Sequence, residues 1–220
     1  YQGRLTRSAN LAHVARARLS TPMAPRPNFL LFVTDQHRAD LLGPRYALLD
    51  PIYGSLRPQA KVRTAPPRKI LISFGGVDTL GVTLMVMETI VALHRPGLEV
   101  DVVLSPHSPS FAKAQLIANE CPWMRLSEQL PSLAPLMLAA DFAVGAAGGT
   151  SWERICLGLP SAVLTMADNQ RSVATALQRH HLARWIGDAR TLEPDDLRAA
   201  LAEVLDAPAD IEWFDRTRAI

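Results

Sequence analysis

Residues 142–153 read Phe-Ala-Val-Gly-Ala-Ala-Gly-Gly-Thr-Ser-Trp-Glu, and this stretch decides the fold. It starts as a short apolar strand over Phe142–Gly145, passes through paired glycines and predicts a helix from Ser151 to Leu157. In an open parallel α/β sheet, ligands bind where a strand ends and the next helix begins. The stretch supplies glycines, two hydroxyl groups and free backbone amides at that point. It therefore predicts a cradle for a diphosphate.

Glu153, the last residue of this stretch, allows two interpretations. Thr150 and Glu153 have the spacing of a capping box, in which Glu153 would only accept a hydrogen bond from a backbone amide. Acidic residues in nucleotide-binding folds can instead accept hydrogen bonds from the ribose diol. The spacing fits both interpretations equally well.

Strands and helices alternate on both sides of this stretch. Lys69–Phe74 has the composition of a buried strand, and Asp78 can cap a helix that runs through Leu84 and Val91. Further strands are predicted at Leu98–Leu104 and Ser161–Thr165, and further helices at Ser108–Asn119, Leu133–Ala139, Asn169–His180 and Pro194–Leu205. This order predicts an α/β fold with a Rossmann-like parallel sheet and helices on both faces.

Two other segments follow predicted strands and are candidates for the binding edge of the sheet. Gly75 and Gly76 lie between a strand and a helix, where they either let a ligand approach the backbone or make a tight connection. His107 lies in a loop with serine and proline after the next strand, and it is a candidate contact to a substrate sugar.

Composition excludes several classes of protein. The chain has 220 residues, of which 48% are hydrophobic and 20% charged, so it is not disordered throughout. A net charge of +2 is too small to indicate a nucleic-acid partner. Two cysteines, Cys121 and Cys156, cannot form a disulfide framework or a multi-cysteine zinc site, which predicts a reducing cytoplasm. No apolar run has the roughly 18–20 residues of a membrane helix, so we expect no membrane.

The chain divides unevenly into four segments. Residues 1–40 form an N-terminal extension, whose Arg-rich, acid-free start is typical of a loose tail or a transit peptide. Residues 41–68 contain five prolines, which interrupt helices and strands, and we interpret them as an irregular connector. Residues 69–206 form the α/β domain, and in the C-terminal segment 207–220 Trp213 either packs onto that domain or contacts a partner.

A resemblance to a known family rests on residues 145–170, together with residues 42–49 and 72–78. These stretches resemble the PseG family, the UDP-2,4-diacetamido-2,4,6-trideoxy-β-L-altropyranose hydrolases of pseudaminic acid biosynthesis. The resemblance covers residues 41–205 and implies a GT-B-type architecture related to MurG, in which the C-terminal domain holds UDP. It implies that water attacks the anomeric carbon of a UDP-activated amino sugar and releases UDP, without a cofactor or a metal.

The resemblance also implies which residues bind the substrate. The residues that face the diphosphate would be Gly148, Gly149, Thr150 and Ser151, and Glu153 would contact the ribose. The floor of the cleft would be formed by Gly75, Gly76 and Asp78. Leu130, beside Gln129, would contact the uracil, and Asn169 and Gln170 would border the sugar.

The chain departs from this family where the catalytic base should lie. The family has an N-terminal G-x-G-H-x-x-R element, and His37-Arg38 has neither its glycines nor its position. We therefore assign no catalytic residue and interpret His37 as a surface histidine. A partner chain would have to supply the N-terminal domain that is missing. The alternatives to hydrolysis are a non-catalytic UDP-binding module and a UDP-sugar glycosyltransferase.

A second, shorter resemblance covers Arg26–Asp40, which is similar to the opening strand of sulfatases. In that family the residue matching Asp35 is a metal ligand, and the nucleophile lies in a C/S-x-P-x-R motif. Residues 121–125 do not fit this motif, so the sequence does not support sulfatase activity.

Overall fold

Six strands form one parallel sheet in the computed structural model, which describes residues 47–60, 62–63, 66–128, 130–206 and 211–219. The strands are β1 (Lys69–Ser73), β2 (Glu99–Val103), β3 (Met124–Ser127), β4 (Phe142–Ala146), β5 (Ser161–Thr165) and β6 (Arg184–Asp188). Their order is β3-β2-β1-β4-β5-β6, and every neighbouring pair is parallel. The direction of progress reverses between β1 and β4, which creates a switch point.

Helices connect the strands of the described part of the chain. They are α1 (Pro51–Leu56), α2 (Val82–Leu93), α3 (Phe111–Glu120), α4 (Ala134–Ala139), α5 (Thr150–Cys156), α6 (Arg171–Arg179), α7 (Pro194–Asp206) and α8 (Ile211–Arg218). Short 3-10 turns over Arg57–Gln59 and Asp168–Gln170 follow α1 and precede α6. None of the described helices is both long enough and apolar enough to span a bilayer.

Side chains of β1 show that the sheet is buried on both faces. Ile70 and Ile72 belong to one apolar cluster with Val86 of α2 and Leu201 of α7. Leu71 points to the opposite face, because side chains alternate along a strand, and it clusters with Met137 of α4. The predicted α/β fold, a Rossmann-like parallel sheet with helices on both faces, is confirmed.

Two strands, β3 and β6, and two helices, α1 and α8, were not predicted from the sequence. β3 and β6 are the edge strands of the sheet, and each includes charged side chains that are exposed or only partly buried, such as Arg125 and Arg184. An edge strand needs no continuous apolar run, and such a run was the signal used to find the central strands. Helix α8 packs onto the domain through Trp213, which is buried with Ile155 and Leu177. This supports the packing interpretation of that tryptophan.

The predicted connector contains a helix, so the expectation that its prolines exclude one is wrong. Pro51 occupies the first turn of α1, where no backbone donor is needed, and the Asp50 side chain accepts a hydrogen bond from Ile52 N. Arg63 is buried, and its guanidinium donates to the carbonyl oxygens of Ala140 (3.3 Å) and Leu157 (2.9 Å). This segment therefore packs on the sheet domain. Residues 1–40, with His37 and the sulfatase-like stretch, lie outside the described residues.

Gly145 lies where β4 passes close to β1. A Cβ atom at this position would lie 2.4 Å from the carbonyl oxygen of Ser73 and 2.6 Å from Nη1 of Arg154. Both distances are shorter than any van der Waals contact, and the carbonyl oxygen belongs to a buried strand that cannot move freely. The switch point therefore requires glycine at position 145.

We predict that Gly145→Ala destabilises the fold by about 1–3 kcal/mol, the usual cost of an extra methyl group in a packed core. Chemical denaturation at equilibrium measures this loss. Gly54→Ala is the matched control, because Gly54 is exposed on α1 with no atom near its Cβ position. A Gly145→Ala variant as stable as the control would contradict the close approach of the two strands.

Candidate nucleotide-binding site

Two glycine-containing loops leave the sheet side by side at the switch point. Ser73 of β1 pairs with Gly145 of β4, so the loops that follow these residues start from adjacent positions. One loop contains Gly75 and Gly76, and the other contains Gly148 and Gly149. The edge of the sheet at the carboxyl ends of β1 and β4 is therefore the candidate site.

Gly75 and Gly76 are exposed and have left-handed backbone conformations, with φ of +76° and +30°. No atom lies within 4 Å of a Cβ placed on either residue. Their glycine identity is explained by the backbone turn, which other residues adopt only at a cost. This supports the tight-connection interpretation, and the predicted contact to a nucleotide remains a prediction.

Asp78 accepts hydrogen bonds from the first two amides of helix α2, as its predicted capping role requires, although the residue directly before the helix is Gly81. Oδ1 of Asp78 accepts from Val82 N at 3.1 Å and Oδ2 accepts from Thr83 N at 2.6 Å. The side chain is buried, and the Asp78 amide donates to Ser108 Oγ at 3.1 Å. Both carboxylate oxygens are engaged in the cap, so a direct contact from Asp78 to a nucleotide is not supported by free acceptor atoms and remains a prediction.

Gly148 and Gly149 differ from the first pair because neither packing nor conformation requires them. Gly149 is exposed, has φ of −55°, and no atom lies within 4 Å of its Cβ position. At Gly148 a Cβ would meet only Gln170 Nε2, at an ordinary 3.7 Å. The missing side chains leave the backbone of this loop open to solvent. Gly149 is also the cap residue of α5, a position that favours glycine, and an approach of a ligand to this backbone remains a prediction.

Arg154 supports this loop from within the protein and was missed by sequence analysis. The side chain is 1% exposed, and its Nη2 donates to Ala146 O at 2.8 Å and to Ser151 Oγ at 3.0 Å. Its Nη1 donates to Thr150 Oγ1 at 3.3 Å, and its Nε has no partner among the described residues. The only signal in the sequence is a charged residue beside Ile155 on the buried side of a short helix.

The positive charge of Arg154 is not neutralised by an ion pair within the described part of the chain. Burial lowers its pKa to about 10, and the nearby charge of Glu153 opposes this shift. The guanidinium is therefore still a cation at neutral pH. A buried cation that forms no ion pair with the described residues gives the loop a positive potential, and this favours an anionic ligand even though Glu153 is near.

The two hydroxyl groups of the predicted cradle are not equivalent. Ser151 is buried, and besides accepting from Arg154 its hydroxyl group lies 3.4 Å from Ala146 O. Thr150 is half-buried, and its Oγ1 accepts from Arg154. A hydroxyl oxygen that accepts a hydrogen bond from a guanidinium points its own hydrogen away from that group. The Thr150 hydroxyl group can therefore donate this hydrogen to a ligand. Their contact to a diphosphate remains a prediction.

Glu153 does not form the capping box. The cap residue of α5 is Gly149, and no side chain accepts a hydrogen bond there. Instead, Glu153 Oε2 accepts from the hydroxyl group of Tyr53 at 2.9 Å. The other oxygen has no hydrogen-bond partner among the described residues, which keeps the ribose interpretation open.

The loop after β5 lies beside the glycine loop. Gln170 Oε1 accepts from Met166 N at 2.9 Å, and this bond holds its amide nitrogen near Gly148. Asn169 is exposed in the same turn. His107 is exposed after β2, and Leu130 is 36% exposed next to Gln129, which lies outside the described residues. The structure thus brings Gln170 to the glycine loop, and the other assignments remain predictions.

An ionic network fixes the turn that carries Asn169 and Gln170. Asp188, at the buried end of β6, pairs with Arg171 Nη2 at 2.6 Å and with Arg190 Nη2 at 2.8 Å. Arg190 also pairs with Asp168 at 2.5 Å. The hydrogen bonds from Arg190 hold the pKa of Asp188 well below its usual range. The sequence gives no signal for this network, which joins residues from three elements.

We predict that Asp188→Asn lowers Tm by about 2–4 °C at pH 7. Because the folded-state pKa of Asp188 is depressed, the network contributes its full stability above the unfolded-state pKa of about 3.9. That stability is lost as the pH falls toward the folded-state pKa, so the difference between variant and wild type narrows below pH 4. Melting curves recorded from pH 7 to pH 3 measure this difference in Tm between Asp188→Asn and the wild type.

Asp215→Asn is the control, since Asp215 is exposed on α8 and makes no ion pair with the described residues. A difference at Asp188 that stays constant with pH would contradict the ionic origin of its contribution.

The described residues hold no cluster of three or more histidine, cysteine, aspartate or glutamate side chains placed to bind a metal ion. Cys121 and Cys156 are free thiols.

The chain matches no protein-family model. It is similar to the spore coat polysaccharide biosynthesis protein SpsG of Bacillus subtilis (strain 168), with 27% identity over 157 residues. This match covers 70% of the chain and 45% of SpsG, so the chain spans less than half of that relative.

Glycosyltransferases are among the solved structures with a similar fold. A kitacinnamycin glycotransferase is 27% identical, with a TM-score of 0.55, and the match covers 71% of this chain and 40% of that one. MurG of Acinetobacter baumannii is 16% identical, with a TM-score of 0.56, and the match covers 76% of this chain and 48% of MurG. The spinosyn rhamnosyltransferase SpnG, complexed with thymidine diphosphate, is 22% identical, with a TM-score of 0.54. This match covers 71% of this chain and 43% of SpnG.

These comparisons show that the chain has the Rossmann-like α/β fold of GT-B glycosyltransferases, the MurG-like fold that the sequence predicts. The proteins named above are glycosyltransferases and a polysaccharide biosynthesis protein. They support the glycosyltransferase alternative better than the expected hydrolase of pseudaminic acid biosynthesis.

Proposed function

We propose that this chain is the nucleotide-sugar-binding part of a glycosyltransferase that uses a UDP-sugar. The observation that carries the proposal is the open backbone of Gly148 and Gly149 at the switch point, above the buried charge of Arg154. Open backbone amides and a fixed positive charge suit a diphosphate, which is anionic and accepts hydrogen bonds.

The comparisons support this proposal in two ways. SpnG, whose fold the chain shares, is complexed with thymidine diphosphate, a nucleoside diphosphate like UDP. SpsG is a spore coat polysaccharide biosynthesis protein. The chain spans less than half of each, so the acceptor and the second wall of the cleft would come from the rest of a longer protein or from a partner chain.

The mechanism that fits the site is displacement of UDP from the anomeric carbon. The bond between that carbon and the β-phosphate oxygen breaks as an acceptor hydroxyl attacks, and negative charge grows on the departing diphosphate. The loop amides and Arg154 would stabilise this charge without moving, because hydrogen bonds already fix the guanidinium. Glu153 would hold the ribose, and Asn169 and Gln170 would border the sugar. The acceptor-activating base is not assigned to a described residue.

Hydrolysis of a UDP-activated amino sugar, as in pseudaminic acid biosynthesis, is the second candidate. The resemblance of residues 145–170 to the PseG family favours it, and water would then replace the acceptor. A non-catalytic UDP-binding module would use the same loop. The free thiols of Cys121 and Cys156 support the proposal that the protein acts in the cytoplasm.

We predict that Gly149→Ala weakens UDP binding at least tenfold while leaving Tm unchanged. The new methyl group meets no protein atom, so the fold tolerates it, but it covers the backbone that the diphosphate would approach. Calorimetric titration of UDP measures the affinity, and Gly54→Ala is the control. Undiminished UDP binding by Gly149→Ala would contradict the placement of the diphosphate, and no binding by the wild type would overturn the nucleotide proposal.

A release assay separates the candidate activities. The protein is incubated with UDP-sugars, with and without a mixture of acceptor sugars, and free UDP is measured. Release that depends on an acceptor supports transfer, and release in water alone supports hydrolysis. Binding without release by either route supports the module.

A further inference from the structure

The carboxylate of Glu153 is held from outside its own helix. The hydroxyl group of Tyr53 on α1 donates to Oε2 at 2.9 Å, across a separation of 100 residues. Tyr53 is 3% exposed and packs among Leu71, Met137 and Leu157. The phenol ring therefore has one position, and its hydroxyl group fixes one oxygen of the carboxylate.

The remaining oxygen of Glu153 belongs to a side chain that starts about one helical turn after the glycine loop. Glu153 follows Gly149 by four residues, and residues four apart lie on the same side of a helix. Helical side chains also lean toward the N-terminus, which here brings the carboxylate back toward the loop. Glu153 is only half-buried, and Oε1 has no hydrogen-bond partner within the described residues.

Tyr53 can act only as the donor in this pair. Burial is the largest cause that raises its pKa above the ordinary value, and the hydrogen bond to Glu153 raises it further. The hydroxyl group therefore keeps its proton at neutral pH. A carboxylate with one oxygen fixed in this way presents the other as a directed acceptor, and a vicinal diol offers two matching donors.

We propose that Tyr53 is a positioning residue that presents the free oxygen of Glu153 to the ribose diol of the bound nucleotide. The site then prefers nucleoside diphosphates that carry the 2′- and 3′-hydroxyl groups. This inference rests on the proposed function, because it places the diphosphate on the loop of Gly148 and Gly149.

The experiment compares UDP with 2′,3′-dideoxy-UDP by calorimetric titration of the full chain. The wild type binds UDP more tightly. Tyr53→Phe weakens UDP binding by about two- to tenfold, the value of one hydrogen bond, and leaves binding of the dideoxy compound unchanged. Ser55→Ala is the matched control, since it removes an exposed hydroxyl group from the same helix and changes neither affinity.

A role of Tyr53 in folding alone would give a different result. Tyr53→Phe would then lower Tm and leave the preference for UDP intact, or weaken both ligands equally, and either outcome overturns the inference while UDP binding stands. Glu153→Gln tests the same inference without altering the tyrosine: it must remove the preference, and Tyr53→Phe added to it must cause no further loss. If the wild type binds no UDP, the proposed function fails, and the inference fails with it.

Discussion

One guanidinium group occupies the space behind the loop at the switch point, and the site is built around it. A side chain at position 145 would collide with the Ser73 carbonyl oxygen as well as with Arg154. The guanidinium of Arg154 donates hydrogen bonds to Ala146, Thr150 and Ser151, and these bonds fix the shape of the loop after β4. A buried charge of this kind costs free energy, and the diphosphate that we propose to bind above the loop would offset part of that cost.

The site combines rigid support with an open surface. Arg154 holds the loop after β4, and Asp188 with its arginine partners holds the turn after β5. Between these supports, Gly149 leaves its backbone uncovered. Rigid placement of donors matters for a departing diphosphate, because groups that are already oriented need not reorganise as charge develops.

The sequence predicted what local patterns determine. The central strands have continuous apolar runs, and Asp78 lies just before a helix, so both could be read from neighbouring residues. The edge strands β3 and β6 were not predicted, because their exposed sides are polar and interrupt the apolar run. The pair of Tyr53 with Glu153 joins residues 100 positions apart, and only the folded chain brings them together. The capping-box spacing of Thr150 and Glu153 is present but unused, since the cap falls at Gly149.

The segment before β1 determines where this module can be cut. Arg63 covers carbonyl oxygens at the end of α4 and after α5, and Tyr53 fills the core beside Leu71. A chain shortened to start at Lys69 would keep every strand and yet leave those carbonyl groups unpaired and a hole next to the sheet. A chimera that carries this sheet domain into another protein would therefore have to include α1.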